Sequence, residues 1–310
     1  MEQRRSGRQK CSKGGEKLIR ISQLKLPITH TKAQLEKKIA KTLKNPGNSF
    51  TYEIRKQSLD CRHKNDKIFV YTVDVTIRDE QKLAKKVNNN NIMLTKEKPY
   101  EFPSPGETPL LHSPVIVGSG PAGLFCGWYL AKAGYCPIIL ERGEEAEKRQ
   151  KTVENFWKNG VLDSESNVQF GEGGAGTFSD GKLNTLVKDP YGRNHEVLKR
   201  FVAAGAPEEI IYQQKPHLGT DVLVGIVEKM RHEIEEMGGK FCFRSKVTDL
   251  IFENNTLKEI EINNDKRIPA QVCVLAPGHS ARDTFEMLQK RGVYMLSLIH
   301  ISEPTRHLRI

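Results

Sequence analysis

The fold is decided by the stretch Val115-Ile116-Val117-Gly118-Ser119-Gly120-Pro121-Ala122-Gly123, which Glu141 follows eighteen residues after the last glycine. The three apolar residues predict a short, buried parallel strand. The glycines then open a helix that is expected to run to Ala133, and Gly134 is placed to end it in the left-handed conformation. Residues 137–140 predict a second strand with Glu141 at its tip. The pattern is that of a strand–helix–strand unit.

Each residue of this motif has a physical task in binding an adenine dinucleotide. Gly118 permits the tight turn, Gly120 lets the backbone approach a pyrophosphate, and Gly123 allows the helix to pack closely on the strand. The amides and the positive dipole end of the helix would face the phosphates. Glu141 could accept hydrogen bonds from a ribose hydroxyl and would repel a 2′-phosphate. The motif therefore favours FAD or NAD over NADP.

The region before the motif is strongly basic. The first 100 residues hold 24 of the 49 Lys and Arg but only 10 of the 38 Asp and Glu. Residues 1–16 have hardly any apolar side chains and predict a disordered basic tail. Excess positive charge raises a nucleic-acid hypothesis, although lysines on a helix more commonly form a solvated face, which is the interpretation we favour.

Residues 17–97 predict a small α+β domain of the ferredoxin-like type. A capping box at Thr31 and Gln34 starts a helix that ends at Asn45. Strands are expected at 18–26, 50–59, 68–77 and 92–95, with a hairpin turn at 64–67 and a second helix at 79–87. With the first helix, these elements give the order β-α-β-β-α-β. Five prolines between Lys98 and Pro114 predict an extended connector, which we take as the domain boundary.

Residues 115–295 predict the dinucleotide-binding domain. The run 167–183 is rich in glycine, with Thr, Ser and Lys beside it, and such a backbone can wrap closely around a flat polar ring or a phosphate. A helix is expected at 220–237. Strands follow it at 240–243, 247–252, 257–262 and 272–275, and the last leads into Ala276-Pro277-Gly278.

An apolar strand that ends in Ala-x-Gly behind such a unit resembles the second conserved stretch of glutathione-reductase-like flavoproteins. Residues 18–295 resemble the uncharacterised bacterial FAD-dependent dehydrogenases known as NAD(FAD)-utilising dehydrogenases, and the run from Phe170 to Thr185 is the most specific element. Pro277 departs from the commoner Ala-Thr-Gly of the superfamily, which weakens any assignment at that position.

The resemblance implies an FAD site. Gly118, Gly120, Gly123 and Glu141 would hold the ADP half, the segment from Gly173 to Thr177 would lie near the pyrophosphate or isoalloxazine, and the Val247 backbone would lie near adenine. The complete set of expected cofactor-binding residues is Gly118, Ser119, Gly120, Pro121, Ala122, Gly123, Glu141, Arg142, Gly173, Gly174, Ala175, Gly176, Thr177, Lys182, Val247 and Gly278.

Other motifs fail at identifiable positions. The run 176–183 approaches a phosphate-binding P-loop, but Leu183 stands where a magnesium-binding hydroxyl is needed. The sequence after Gly278 lacks the final glycine of a serine-hydrolase elbow. The six cysteines and the histidines lack metal-ligand spacing, so no metal site and no dithiol relay are expected. Asp180, Lys182 and Arg193 are further candidates for contact with substrate or flavin.

The last residues break the pattern. Residues 296–310 match the translation of a transposase adapter used in short-read sequencing libraries, followed by a sample barcode. We interpret them as non-native and expect the native protein to continue beyond Met295. The chain as given is then a truncated FAD domain with uncovered sheet edges, which we expect to aggregate, bind FAD poorly and be inactive.

Together these features predict an α/β protein in which a ferredoxin-like domain precedes a Rossmann-type FAD domain. The expected activity is hydride or electron transfer between a small organic substrate and flavin, with NAD(P)H as a candidate electron donor, in the cytoplasm and away from membranes. No catalytic side chain is assigned, because the cofactor carries the redox chemistry. Two alternatives stay open: an RNA-modifying flavoprotein that uses the basic domain, and a non-catalytic flavin-binding protein.

Overall fold

A computed structural model describes residues 17–44, 49–62, 67–78, 83, 87, 89–96, 99–179, 181–183 and 189–296. The predicted basic tail, the hairpin turn except for Lys67, nearly all of the second helix of the first domain, Asp180, Thr185 and residues 297–310 lie outside these ranges. The chain divides into two compact units. The first takes the described residues within 1–102, together with Leu183–Ala203 and Pro207–His217; the second takes Pro103–Lys182, Ala204–Ala206 and the described part of 218–310.

The first unit is built on a four-stranded antiparallel sheet. Its strands are β1 (Lys17–Pro27), β2 (Thr51–Asp60), β3 (Ile68–Thr76) and β4 (Ile92–Lys96), in the order β2-β3-β1-β4. Every neighbouring pair is antiparallel. This is the strand order of a ferredoxin-like split βαβ domain, as the sequence predicted.

Helix α1 (Lys32–Thr42) covers one face of this sheet. The Thr31 side chain accepts from the Gln34 amide, and the Gln34 side chain accepts from the Thr31 amide, so the predicted capping box is present. Leu35, Ile39 and Leu43 recur at helical spacing and are buried in one cluster with apolar residues of β1 and β3. The helix ends slightly before the predicted Asn45.

The first unit also includes a segment that the sequence analysis had placed in the dinucleotide-binding domain. Helix α4 (Arg193–Ala203) and a 3₁₀ turn (Glu208–Ile211) lie in it. The amide of Gln57 donates to the Tyr212 carbonyl at 2.7 Å, and the Gln214 amide donates to the Gln57 carbonyl at 2.9 Å. A short parallel bridge therefore extends the edge of the sheet at β2.

The second unit has a four-stranded parallel sheet. Its strands are β5 (Val115–Val117), β6 (Ile138–Leu140), β7 (Lys240–Cys242) and β11 (Cys273–Leu275), in the order β11-β5-β6-β7. Relative to their order in the chain, the strands run 4-1-2-3 across the sheet. Taken from the other edge, this is the 3-2-1-4 order of a Rossmann fold, in which the strand order reverses between β5 and β11.

Helices and a second, antiparallel sheet complete this unit. Helix α2 (Pro121–Lys132) joins β5 to β6, and Gly134 follows it with φ +84°, as predicted for its end. Helix α3 (Ala146–Asn159), which was not predicted from the sequence, follows β6, and α5 (Thr220–Glu236) precedes β7. The Trp128 indole donates to Glu233 and ties α2 to α5.

The antiparallel sheet contains β8 (Val247–Glu253), β9 (Thr256–Ile262) and β10 (Lys266–Pro269). Asn254 and Asn255 both have positive φ, which the two-residue β8–β9 hairpin requires, and Asn263 and Asn264 also have positive φ in the three-residue β9–β10 turn. Its apolar side chains share a buried cluster with β5, β6 and the last helix, α6 (Arg282–Lys290).

Candidate functional site: the crevice at the carboxyl ends of β5 and β11

A cavity of about 230 Å³ opens where the parallel strands end. Its walls include Val117 and Gly118 at the end of β5, Leu140 and Glu141 at the end of β6, and the turn 276–281 after β11. In open α/β sheets, ligands bind outside the carboxyl ends of the strands where the strand order reverses. The cavity lies at that position.

Two glycines of the motif are required by close backbone approaches. Gly118 has φ +98°, and a Cβ there would overlap the carbonyl oxygen of Ala276 on the neighbouring strand's turn. A Cβ on Gly123 would overlap the carbonyl oxygen of Gly118, because α2 lies directly on the turn from β5. These two glycines therefore fix the packing of helix against strand.

Gly120 differs from both. It is the N-cap of α2 with φ −65°, no side chain caps the helix, and Pro121 and Ala122 beside it line the cavity. Among the described residues, a Cβ on Gly120 would meet only the Gly174 Cα, at 3.9 Å. The protein itself does not require glycine here, so the open space above it is available to a ligand that approaches the helix N-terminus.

Glu141 is buried and saturated by protein donors. One carboxylate oxygen accepts from the amide and the hydroxyl of Ser119, at 2.8 and 2.7 Å. The other accepts from the amides of Gly143 and Gly171, at 2.9 and 3.0 Å. A carboxylate offers about four lone-pair positions. A ribose hydroxyl would therefore have to replace one of these donors, and the Ser119 hydroxyl, which can rotate, is the one free to leave.

The glycine-rich run folds against the motif. The Gly173 amide donates to the Ser119 carbonyl at 3.0 Å, and Gly174 to Phe178 form a 3₁₀ turn. A Cβ on Gly174 would lie 3.3 Å from the Gly120 Cα. Two glycine backbones thus approach each other at the cavity. A side chain on either glycine would narrow the cavity.

Arg149 on α3 holds this run in place, and the sequence analysis missed it. Its side chain is fully buried. The guanidinium donates to five carbonyl oxygens and one hydroxyl at 2.7–3.3 Å, belonging to Asn167, Val168, Gly171, Glu172, Gly174 and Thr177. It also lies 4.7 Å from the Phe178 ring centroid. Burial lowers its pKa to about 10, so it stays charged at neutral pH.

Glu172 anchors the same run from the other side. Its carboxylate is fully buried, accepts from the Ala146 amide at the start of α3 at 2.8 Å, and pairs with Arg231 of α5 at 2.8 Å. Burial raises the pKa of this carboxyl group. The run is therefore fixed to both neighbouring helices.

A charged cluster forms one rim of the cavity. Arg142 stacks on the Phe170 ring at 4.0 Å and pairs with Glu165 and Asp283, and Lys246 pairs with the same two carboxylates. Burial opposes ionisation of Asp283, but hydrogen bonds from Arg142 and Lys246 outweigh it and lower the pKa of Asp283. Arg142 and Lys246 both line the cavity.

The cavity brings together most of the residues proposed from the sequence. Ten line it: Gly118, Gly120, Pro121, Ala122, Glu141, Arg142, Gly174, Ala175, Val247 and Gly278. The other six do not line it: Ser119, Gly123, Gly173, Gly176, Thr177 and Lys182. Of these, Ser119 and Thr177 donate to Glu141 and Gly174, which do line it, and the Gly173 amide donates to the Ser119 carbonyl. Arg193 belongs to the first unit. Gln169, Ser245, His279 and Ser280 also face the cavity and were not proposed.

Two absences concern the described residues alone. In that part of the chain, no group of three or more His, Cys, Asp or Glu is placed to hold a metal ion. No helix within the described ranges has the length and apolar character to cross a membrane. The five described cysteines are free thiols.

Comparison with known proteins supports the fold of the site. Residues 116–160 match the family model described as an NAD(P)-binding Rossmann-like domain, and residues 18–76 match a domain of unknown function, DUF8436. An uncharacterized protein of Clostridium beijerinckii (strain ATCC 51743 / NCIMB 8052) is 44% identical over 278 residues, which are 89% of this chain and 52% of the relative. The chain thus spans about half the length of that relative.

Two solved structures are similar to part of this chain. THI4 of Thermovibrio ammonificans is 22% identical, with a TM-score of 0.38 over 58% of this chain and 62% of that one. Lactococcus lactis thioredoxin reductase is 16% identical, with a TM-score of 0.30 over 54% and 35%. The fold assignment depends on the strand order and the family match, and not on these two structures. The second unit has a Rossmann-type α/β fold.

Proposed function

We propose that the crevice binds FAD and that the protein is an FAD-dependent oxidoreductase. The pyrophosphate would lie over Gly120 at the N-terminus of α2, a ribose hydroxyl would bind Glu141, and adenine would lie toward Val247 and Arg142. When bound, FAD supplies hydride and electron transfer, and the protein binds and orients it. The substrate class is a small organic molecule, with NAD(P)H as the candidate electron donor.

The observation that carries this proposal is the open space at Gly120. Gly118 and Gly123 are glycines because protein atoms leave no room for a side chain, whereas nothing in the described protein closely crowds a Cβ on Gly120. Glycine at a position where the fold leaves room for a side chain is consistent with a ligand that contacts the backbone there. Glu141, the helix N-terminus and a second glycine backbone at Gly174 border the same space.

The direct test is cofactor content. The protein is expressed from its native gene, purified and denatured, and the released small molecules are separated by liquid chromatography. We expect FAD in stoichiometric amount, and loss of the flavin's visible absorbance when NADH or NADPH is added without oxygen. Release of NAD alone, or no binding of FAD to the apoprotein, would overturn the flavin assignment. Bound flavin that no donor or small substrate reduces would overturn the oxidoreductase assignment.

Glu141→Gln is expected to lower the affinity for FAD at least about tenfold and the free energy of unfolding by roughly 2 kcal/mol. In the native protein, the backbone amides of Ser119, Gly143 and Gly171 donate to the carboxylate oxygens of Glu141. The glutamine side chain would place an NH₂ group, itself a donor, against one or more of these amides. Affinity is measured by fluorescence titration of the apoprotein with FAD, and stability by urea unfolding. Glu236→Gln, on the exposed end of α5, is the matched control and should change neither value. Unchanged FAD affinity in Glu141→Gln would remove Glu141 from the proposed site.

A further inference from the structure

The first unit has a groove of about 890 Å³ between α1 and β2, which plays no part in the proposed flavin site. Its rim carries lysines of α1 and of the turn after it, and its floor carries aromatic residues at and just before the start of β2. The lining residues that bear a charge or an aromatic ring are Glu36, Lys37, Lys41, Lys44, Phe50 and Tyr52.

The lysines form a single stripe. Lys37, Lys41 and Lys44 are spaced by four and three residues, so they lie on one face of the helix and its C-terminal turn, and all three are exposed. Among the described residues that line the groove, Glu36 alone is acidic. The opposite face of α1 is anchored in the core by Leu35 and Ile39, which fixes the direction in which the stripe points.

The floor has aromatic rings held in place by the core. Phe50 directly precedes β2 and Tyr52 is the second residue of the strand, and both side chains pack on the same apolar cluster. Both are half-buried, pack against the apolar cluster beneath α1, and have ring centroids 6.3 Å apart. Burial, with a smaller contribution from Glu36, raises the pKa of Tyr52. The phenol is therefore neutral and can donate a hydrogen bond.

We propose that this groove binds single-stranded nucleic acid, with the lysine stripe on the phosphates and the aromatic floor against the bases. Single-strand sites combine a positive groove that follows the backbone with aromatic rings on which bases stack. An acidic peptide would satisfy the lysines but has no planar group for the floor, which is why a nucleic acid is the better match. The groove lies in the region that holds 24 of the chain's 49 basic residues. The inference does not depend on the flavin proposal.

The test uses the whole protein and a short fluorescein-labelled oligouridylate, with the matching oligothymidylate to separate RNA from DNA, followed by fluorescence anisotropy at several salt concentrations. The triple variant Lys37→Gln, Lys41→Gln, Lys44→Gln should bind at least about tenfold more weakly at low salt. Each phosphate contact contributes about 0.7 to the slope of log affinity against log salt, so the slope should fall by roughly 2. The variant Tyr52→Leu should weaken binding about tenfold with an unchanged salt slope, because stacking does not depend on counterions.

The matched control removes three charges elsewhere. Lys151, Lys158 and Lys290 are exposed on helices of the second unit, and their change to Gln should alter binding less than twofold. Equal losses in the two triple variants would show unspecific attraction and overturn the proposal. So would competition by polyglutamate as effective as competition by unlabelled oligouridylate, or a Tyr52→Leu variant that is folded by circular dichroism and binds like the native protein.

Discussion

Arg149→Met is expected to lower the free energy of unfolding by about 3–5 kcal/mol and to abolish FAD binding. Removal of a buried donor leaves its acceptors unsatisfied, and each such buried group costs roughly 1–3 kcal/mol, so the loss of several acceptors' partner at once supports a value of this size. Here the side chain donates to five carbonyl oxygens and the Thr177 hydroxyl, all within residues 167–177. Methionine fills part of the volume but donates nothing, so the glycine-rich run would lose its fixed conformation.

The measurement is urea unfolding together with FAD titration. Arg149→Lys serves as the graded control, because an ammonium has three donors where the guanidinium has five and cannot reach both ends of the run. It should be less damaging than methionine in both measurements. A methionine variant as stable as the native protein, or one that is destabilised but binds FAD normally, would contradict the role assigned to Arg149.

Arg149 also shows where prediction from sequence stops. Helix α3 buries Ala146, Arg149 and Val153, which are spaced by three and four residues as in any amphipathic helix. An arginine at the centre of the buried face breaks the apolar pattern by which such helices are recognised. Arginine side chains are far more often exposed to solvent than buried. Only the three-dimensional arrangement of the carbonyl oxygens around Arg149 therefore reveals its role.

The strand–helix–strand unit, in contrast, was predictable because its glycines are required by local backbone geometry. At Gly118, Gly123 and Gly134, backbone geometry dictates glycine, and local geometry can be read from a single sequence. The β8-β9-β10 sheet was predicted only in part, because β10 is short and largely exposed. The assignment of Pro207–His217 to the first unit had no local signal at all, since this segment pairs with Gln57, far away in the chain.

Gly123→Ala and Gly120→Ala should separate folding from cofactor binding within one motif. Alanine at Gly123 would place its methyl group on the Gly118 carbonyl oxygen and 3.3 Å from Ile116, and relief requires α2 to move off β5. The cost of such overpacking is commonly 1–3 kcal/mol, and because the obstacle is backbone we expect about 3 kcal/mol or more. Urea unfolding measures it, and a Gly123→Ala variant with native stability would show that α2 and β5 are not packed as described.

Gly120→Ala should have the reverse effect. The residue has an ordinary φ of −65°, and its new methyl group would meet only the Gly174 Cα at 3.9 Å, so stability should fall by no more than about 1 kcal/mol, the usual cost of alanine at a helix N-cap. The methyl group would nevertheless stand where the pyrophosphate has to approach the backbone, and FAD affinity should fall at least about tenfold. If the stable Gly120→Ala variant bound FAD as tightly as the native protein, the phosphates could not lie over the start of α2. Loss of binding without loss of stability would instead assign that space to the cofactor, because no contact among the described residues accounts for the difference.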